Sequence, residues 1–180
     1  MAKRILTEDQ IIDVIWGATL MGGGGGGAMV GGTDLLETYK RLHPEKPVQL
    51  TLYETCDMDP NAYAAVTAGM GAPTVLKNVD FSLYAVNAFN ALKDMAAKMD
   101  PPRKLEYSIP VELGGFNTFC PMLISLLNDI PFIDCDGAGR AVPALDTLLL
   151  IPRPSPWPTA RTTASTLLSR TPRTRPWARR

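Results

Sequence analysis

The segment Ile109-Pro110-Val111-Glu112-Leu113-Gly114-Gly115-Phe116-Asn117 ends where a β-strand should end, and so does Phe132-Ile133-Asp134-Cys135-Asp136-Gly137-Ala138-Gly139-Arg140. Between them, Thr118 to Asn128 places Phe119, Leu123, Leu126 and Leu127 on one face of a helix of about three turns. The unit reads strand, helix, strand. In a parallel α/β sheet the loops that leave the carboxyl ends of the strands gather on one edge, where ligands bind. Glu112 and the Asp134/Asp136 pair are therefore expected to share one crevice. Carboxylates beside glycines can accept hydrogen bonds, hold a cation or move a proton.

Outward from this unit the alternation continues. Thr7 and Gln10 match a capping box at the start of a largely apolar helix carrying Ile11, Ile12, Val14, Ile15 and Ala18 to about Leu20. Six glycines follow, Gly22 to Gly27, with two more at Gly31 and Gly32. Thr33 or Asp34 can cap a second helix bearing Leu35, Leu36, Tyr39 and Leu42, which His43-Pro44 stops. Residues 48–53 and 64–68 read as strands, and residues 81–99 have helical spacing, ended by Asp100-Pro101-Pro102. The expected fold is α/β, a mainly parallel sheet with helices on both faces, over residues 1–150.

Composition sets further bounds. An apolar fraction of 46% is enough for a packed core at 180 residues, the length of a single domain. The formal net charge of +0 hides an asymmetry: residues 1–150 hold 11 Lys and Arg against all 18 Asp and Glu, whereas residues 151–180 hold seven Arg and no acid. An acidic body argues against nucleic acid as a partner. Cys56, Cys120 and Cys135 form no CxxC pair and fit a reducing compartment. With no leader-like or membrane-length apolar run, the expectation is a cytoplasmic protein without a membrane partner. Residues 151–180 contain six Pro, with four at alternate positions from Pro152 to Pro158. They are expected to be disordered, because little apolar surface offsets an ordering entropy of roughly 1–2 kcal/mol per residue.

Each candidate residue has two readings. The glycine run is a flexible linker, or a backbone cradle for an anionic or carbonyl group. It follows a helix rather than a strand and lacks a Lys-Ser/Thr, so it is neither a dinucleotide fingerprint nor a P-loop. Gly69-Met70-Gly71-Ala72-Pro73 is a turn or a second wall of the crevice. Glu112 is a solvated loop carboxylate or a site residue. Asp134 and Asp136 fix an Asp-Gly turn, or bind a divalent cation such as Mg²⁺ with Glu112. Arg140 recognises a carboxylate or pairs with Asp136. Cys135 points into the core. Cys120 has a lowered pKa near a helix start, or is a buried structural residue. His43, the sole histidine, has no partner for a catalytic triad.

Four segments occur in order: Leu6-Thr7-Glu8-Asp9 with the glycine run, Met70-Gly71-Ala72-Pro73-Thr74-Val75, Pro110 to Asn117, and Asp134 to Arg140. Over roughly residues 5–148 the chain resembles the N-terminal domain of the S-methyl thiohydantoin desulfurase family, long catalogued as a domain of unknown function. The resemblance implies an α/β domain normally followed by a smaller β-rich one. It implies hydrolase-like action on thiohydantoin- or hydantoin-type rings, and association with hydantoinase/oxoprolinase-like proteins. The residues carried over are the glycine loop with Gly23, Gly24, Gly25 and Gly26, then Glu112, Gly115, Asn117, Asp134, Asp136, Gly137, Gly139 and Arg140. Glu112 is expected as general base or as metal ligand with Asp134 and Asp136. Asn117 and Arg140 are expected to orient the ring, as a substrate or as the ligand of a non-catalytic accessory domain. The family loop reads closer to Gly-Thr-Gly-Gly-Gly-Gly, so a hydroxyl is lost here. The Arg/Pro/Thr tail departs from the family and is expected to be an out-of-frame or mis-spliced reading of a GC-rich gene.

Overall fold

The computed structural model describes residues 3–69, 81–143 and 147–149. Gly71 and the tail at 151–180 lie outside the described residues. The elements are β1 (Arg4–Leu6), α1 (Glu8–Gly22), α2 (Met29–Leu42), β2 (Leu50–Tyr53), β3 (Tyr63–Val66), α3 (Phe81–Ala97), β4 (Leu105–Ile109), α4 (Gly115–Asn128) and β5 (Phe132–Ile133), with a 3₁₀ turn at Thr55–Asp57. The five strands form one sheet in the order β1-β2-β5-β4-β3. β2, β5, β4 and β3 run parallel, and β1 is antiparallel to β2, with Ile5 opposite Thr51. The mainly parallel α/β sheet expected from the sequence is present. The added edge strand β1 is only three residues long and has no periodicity of its own to read.

The β4-α4-β5 unit is the centre of the molecule. Every residue of α4 from Gly115 to Leu126 is buried. A helix surrounded on all sides needs no polar face, which accounts for its apolar sequence. Phe119, Met122, Leu123 and Cys120 pack with Ile11 and Ile15 of α1, Leu35, Leu36 and Tyr39 of α2, and Leu50, Leu52 and Phe132 of the sheet. Each such large side chain contributes about 1.5–3 kcal/mol on burial. A second cluster joins Ala85, Phe89 and Ala96 of α3 to Ala65, Leu105 and Ile124. Leu52 and Tyr53, Phe132 and Ile133, and Ala65 and Ala64 alternate between these clusters and a third, formed by Ala64, Tyr107, Ile109 and Ile133 with Tyr53 and Cys135. The described helices serve one face of the sheet. Among the described residues the third cluster, on the other face, draws on no helical side chain.

Two helix starts differ from the sequence reading. The capping box at Thr7 and Gln10 forms as expected, with Thr7 N donating to Gln10 Oε1 at 3.0 Å. The second helix, however, begins at Met29 after Ala28. Thr33 does not cap it; its hydroxyl donates back to Val30 O at 3.0 Å. Gly31 and Gly32 are helical because they press on the next layer. A Cβ on Gly31 would stand 2.9 Å from Phe116 Cδ2, and one on Gly32 would overlap Gly115 O. Likewise α4 begins at Gly115 rather than Thr118, whose hydroxyl accepts a bond from Gly114 N at 3.2 Å.

Candidate functional site

The carboxyl ends of β3, β4 and β5 open toward the α1–α2 glycine loop, and Glu112 and Asn117 join all of them. Glu112 is 7% exposed and Asn117 5%. Asn117 Nδ2 donates to Glu112 Oε1 at 2.7 Å, and Val142 N donates to Glu112 Oε2 at 2.6 Å. Gly69 N, just past β3, donates to Asn117 Oδ1 at 2.9 Å. Asn117 N donates to Gly26 O at 2.9 Å, and Leu113 N donates to Arg140 O at 3.4 Å. Four loops therefore converge on two buried side chains. A strand end supplies Glu112, and the first turn of the helix that follows supplies Asn117.

The glycine loop fits against this junction. Gly23 closes α1 in a left-handed conformation, φ 57°. Gly26, at φ 66°, admits no side chain: its Cβ would lie 2.7 Å from Gly114 Cα. A Cβ on Gly115 would lie 2.6 Å from Met29 Cα, and one on Gly25 would lie 2.5 Å from Ala141 Cβ. Gly25, Gly26 and Gly115 thus interlock backbones. Around Gly23, Gly24 and Gly139 a Cβ would meet nothing within 4 Å, so these border open space.

The two acidic loops meet, but their carboxylates take separate partners. Asp134 Oδ2 pairs with Arg4 at 2.9 Å, and Arg4 also holds Glu54 at 3.0 Å. Both carboxylates are about half exposed, so each pair is worth about 0–1 kcal/mol. Asp136 Oδ1 accepts from Ala138 N at 2.7 Å and from Gly139 N, which is the turn role weighed for it. Gly137 O accepts from Leu149 N at 2.7 Å. Arg140 does not pair with Asp136; its Nε donates to Ala141 O at 3.3 Å. Among the described residues no group of three His, Cys, Asp or Glu can hold a metal ion. The expected ligand set of Glu112, Asp134 and Asp136 does not fit a divalent cation, because each carboxylate is committed to a different part of the edge.

Cys120 is fully buried, and burial drives its thiol far up, contrary to an activated thiolate. Cys135 belongs to the third cluster, as its alternation suggested. Its thiol is pushed up to about 11 by burial and then by Asp136 and Asp134. His43 stands at the end of α2 against Tyr39, ring centroids 5.2 Å apart, away from this edge. Sequence reasoning missed Gly26 O, Gly69 N and Val142 N, which are backbone groups with no residue-type signal. It also missed Arg4, whose pairing with Asp134 depends on the short strand β1.

These features define an α/β domain with a polar, glycine-lined junction at the carboxyl edge of a mainly parallel sheet. The profile of the family described as S-Me-THD-like, N-terminal domain, matches residues 9–166, and the chain belongs to that family. No curated protein matches. The crystal structure of a protein from Chromobacterium violaceum is similar, with a TM-score of 0.69 and 25% identity over 81% of this chain. The match spans only 38% of that chain. No helix among the described residues is long and apolar enough to cross a membrane.

Proposed function

We propose that this chain is the ring-binding domain of a cytoplasmic, hydrolase-like protein that processes S-methyl thiohydantoin or hydantoin rings. The observation that carries the reading is the Glu112–Asn117 junction, where a buried carboxylate is held at the loop edge of a domain of this family. The ring sits in the open space beside Gly23, Gly24 and Gly139. Backbone N–H groups of the glycine loops favour charge developing on the ring heteroatom. Glu112 takes a proton from water as the water oxygen adds to the ring carbon. For an S-methyl ring the C–S bond then breaks, and methanethiol leaves with that proton. For hydrolysis the C–N bond breaks and the ring nitrogen takes it. Asn117 positions Glu112, since its Nδ2 donates to that carboxylate while its Oδ1 is held by Gly69 N. Asp134 and Asp136 hold Arg4 and the Asp136 turn and carry no step. The test is turnover of an S-methyl thiohydantoin by a longer relative containing this domain, before and after replacing the residue aligned with Glu112 by Gln. A fall of about 100-fold or more in kcat fits general-base catalysis; unchanged turnover refutes it.

A second reading, an accessory domain for a hydantoinase/oxoprolinase-like partner, is favoured by one observation. Trp16, Leu20, Met21 and Val30 stand 58–81% exposed within Val14–Thr33, a run without a charged residue. Apolar surface of this kind marks interaction sites. Co-purification with such a partner, lost on Leu20→Glu, would support it, and turnover by a partner-free protein would remove the need for it.

A further inference from the structure

Resting on the proposed ring-binding role, we infer that this site selects the closed, neutral, N–H-bearing ring and rejects the carboxylate produced when the ring opens. Glu112 is buried, and its two bonds come from neutral donors, Asn117 Nδ2 and Val142 N. The ion pairs among the described residues all lie elsewhere, on Arg4, Lys40 and Lys104. Arg140 is exposed, and its Nε is turned to Ala141 O. The carboxylate therefore stands in a desolvated setting without a described counter-charge. A carboxylate has about four acceptor positions, and the described residues fill two of them, so a ligand donor is taken to occupy one of the others. A ring N–H fills one with a charge-assisted bond. A second carboxylate brought nearby meets a like charge where water screens it poorly. Asn117 is tied to Gly26 and Gly69, and Glu112 to Val142, so the carboxylate cannot swing away without breaking the loop junction.

The consequence is a site that binds the ring and releases a ring-opened acid. The full chain is titrated calorimetrically at pH 7 with hydantoin, with N-carbamoylglycine (its ring-opened acid) and with N-carbamoylglycinamide, the neutral amide of that acid. Hydantoin is expected to bind at least about tenfold more tightly than the acid, with the amide recovering most of the difference. The Glu112→Gln variant, checked for folding by thermal melting, is expected to bring the ring and acid affinities within about threefold. If the wild type binds ring and acid equally, the inference fails while the ring-binding role stands. An amide as weak as the acid overturns it too, since shape rather than charge then discriminates. Selectivity unchanged in folded Glu112→Gln assigns the effect to another residue and also overturns it. No binding of any of the three compounds defeats the ring-binding role and the inference together.

Discussion

Asn117 engages three of its polar groups at once: the side-chain amide with Glu112, the side-chain carbonyl with Gly69 N, and the backbone N–H with Gly26 O. Alanine at this position keeps the last bond and loses the others. Glu112 is then left with one donor and Gly69 N without its acceptor. Leaving a buried polar group unsatisfied costs about 1–3 kcal/mol, so Asn117→Ala should lower unfolding free energy by at least that much. Urea denaturation checks this, and a change under about 0.5 kcal/mol, the range of ordinary surface substitutions, would deny the junction a structural role. Cys135 supplies a pH dependence. Burial, with Asp136 and Asp134 beside it, pushes the native thiol up to about 11 from an ordinary 9.0, so above pH 9 the unfolded chain sheds a proton that the native chain keeps. That contribution is fully present below pH 9 and is lost as pH rises toward 11, with Cys120 acting in the same direction. Stability measured across this window should fall, and Cys135→Ser should flatten the fall.

At the scale of elements, glycines separate into those that pack and those that do not. Gly17 lies in the exposed middle of α1, with nothing within 4 Å of a would-be Cβ. Gly17→Ala should therefore stabilise the protein by about 0.5–1 kcal/mol through backbone entropy alone. Gly32 is also helical, but a Cβ there overlaps Gly115 O, so Gly32→Ala must push α2 from α4 and destabilise by about 1–3 kcal/mol. Thermal midpoints moving in opposite directions confirm the pair; movement in the same direction would contradict the close packing. This contrast also explains what was legible in the sequence. α1 could be read because its start rests on local chemistry, the Thr7–Gln10 box. The start of α2 could not, because Gly31 and Gly32 have poor helix propensity and are kept helical by tertiary contact with Phe116 and Gly115. β1 escaped notice because its partner, β2, lies more than forty residues away.

For the whole molecule, the question is whether the carboxyl edge behaves as one unit. Glu112 was legible from its place between a strand end and two glycines, but the groups that it and Asn117 gather were not, since Val142 N on Glu112 and Gly26 O on Asn117 N are main-chain atoms brought close only by the fold. The bonds through Glu112 and Asn117 run from the α1–α2 loop to β3, β4 and the segment after β5. Local opening follows cooperative units of this kind. Replacing Glu112 by Ala removes the acceptor of Val142 N and loosens Asn117, which in turn holds Gly69 N and Gly26 O. Native-state hydrogen exchange should then accelerate together at Val142, Gly69 and Asn117. The amides of the β1–β2 pair, on the far edge of the sheet, should keep their rates, because Arg4, Ile5 and Leu6 are anchored to β2 rather than to the junction. Acceleration at Val142 alone would mean that Glu112 holds one loop and that the edge is a set of independent turns. Joint acceleration would make the carboxylate the common tie of the edge, and any ligand that bonds to it would then order four loops at once.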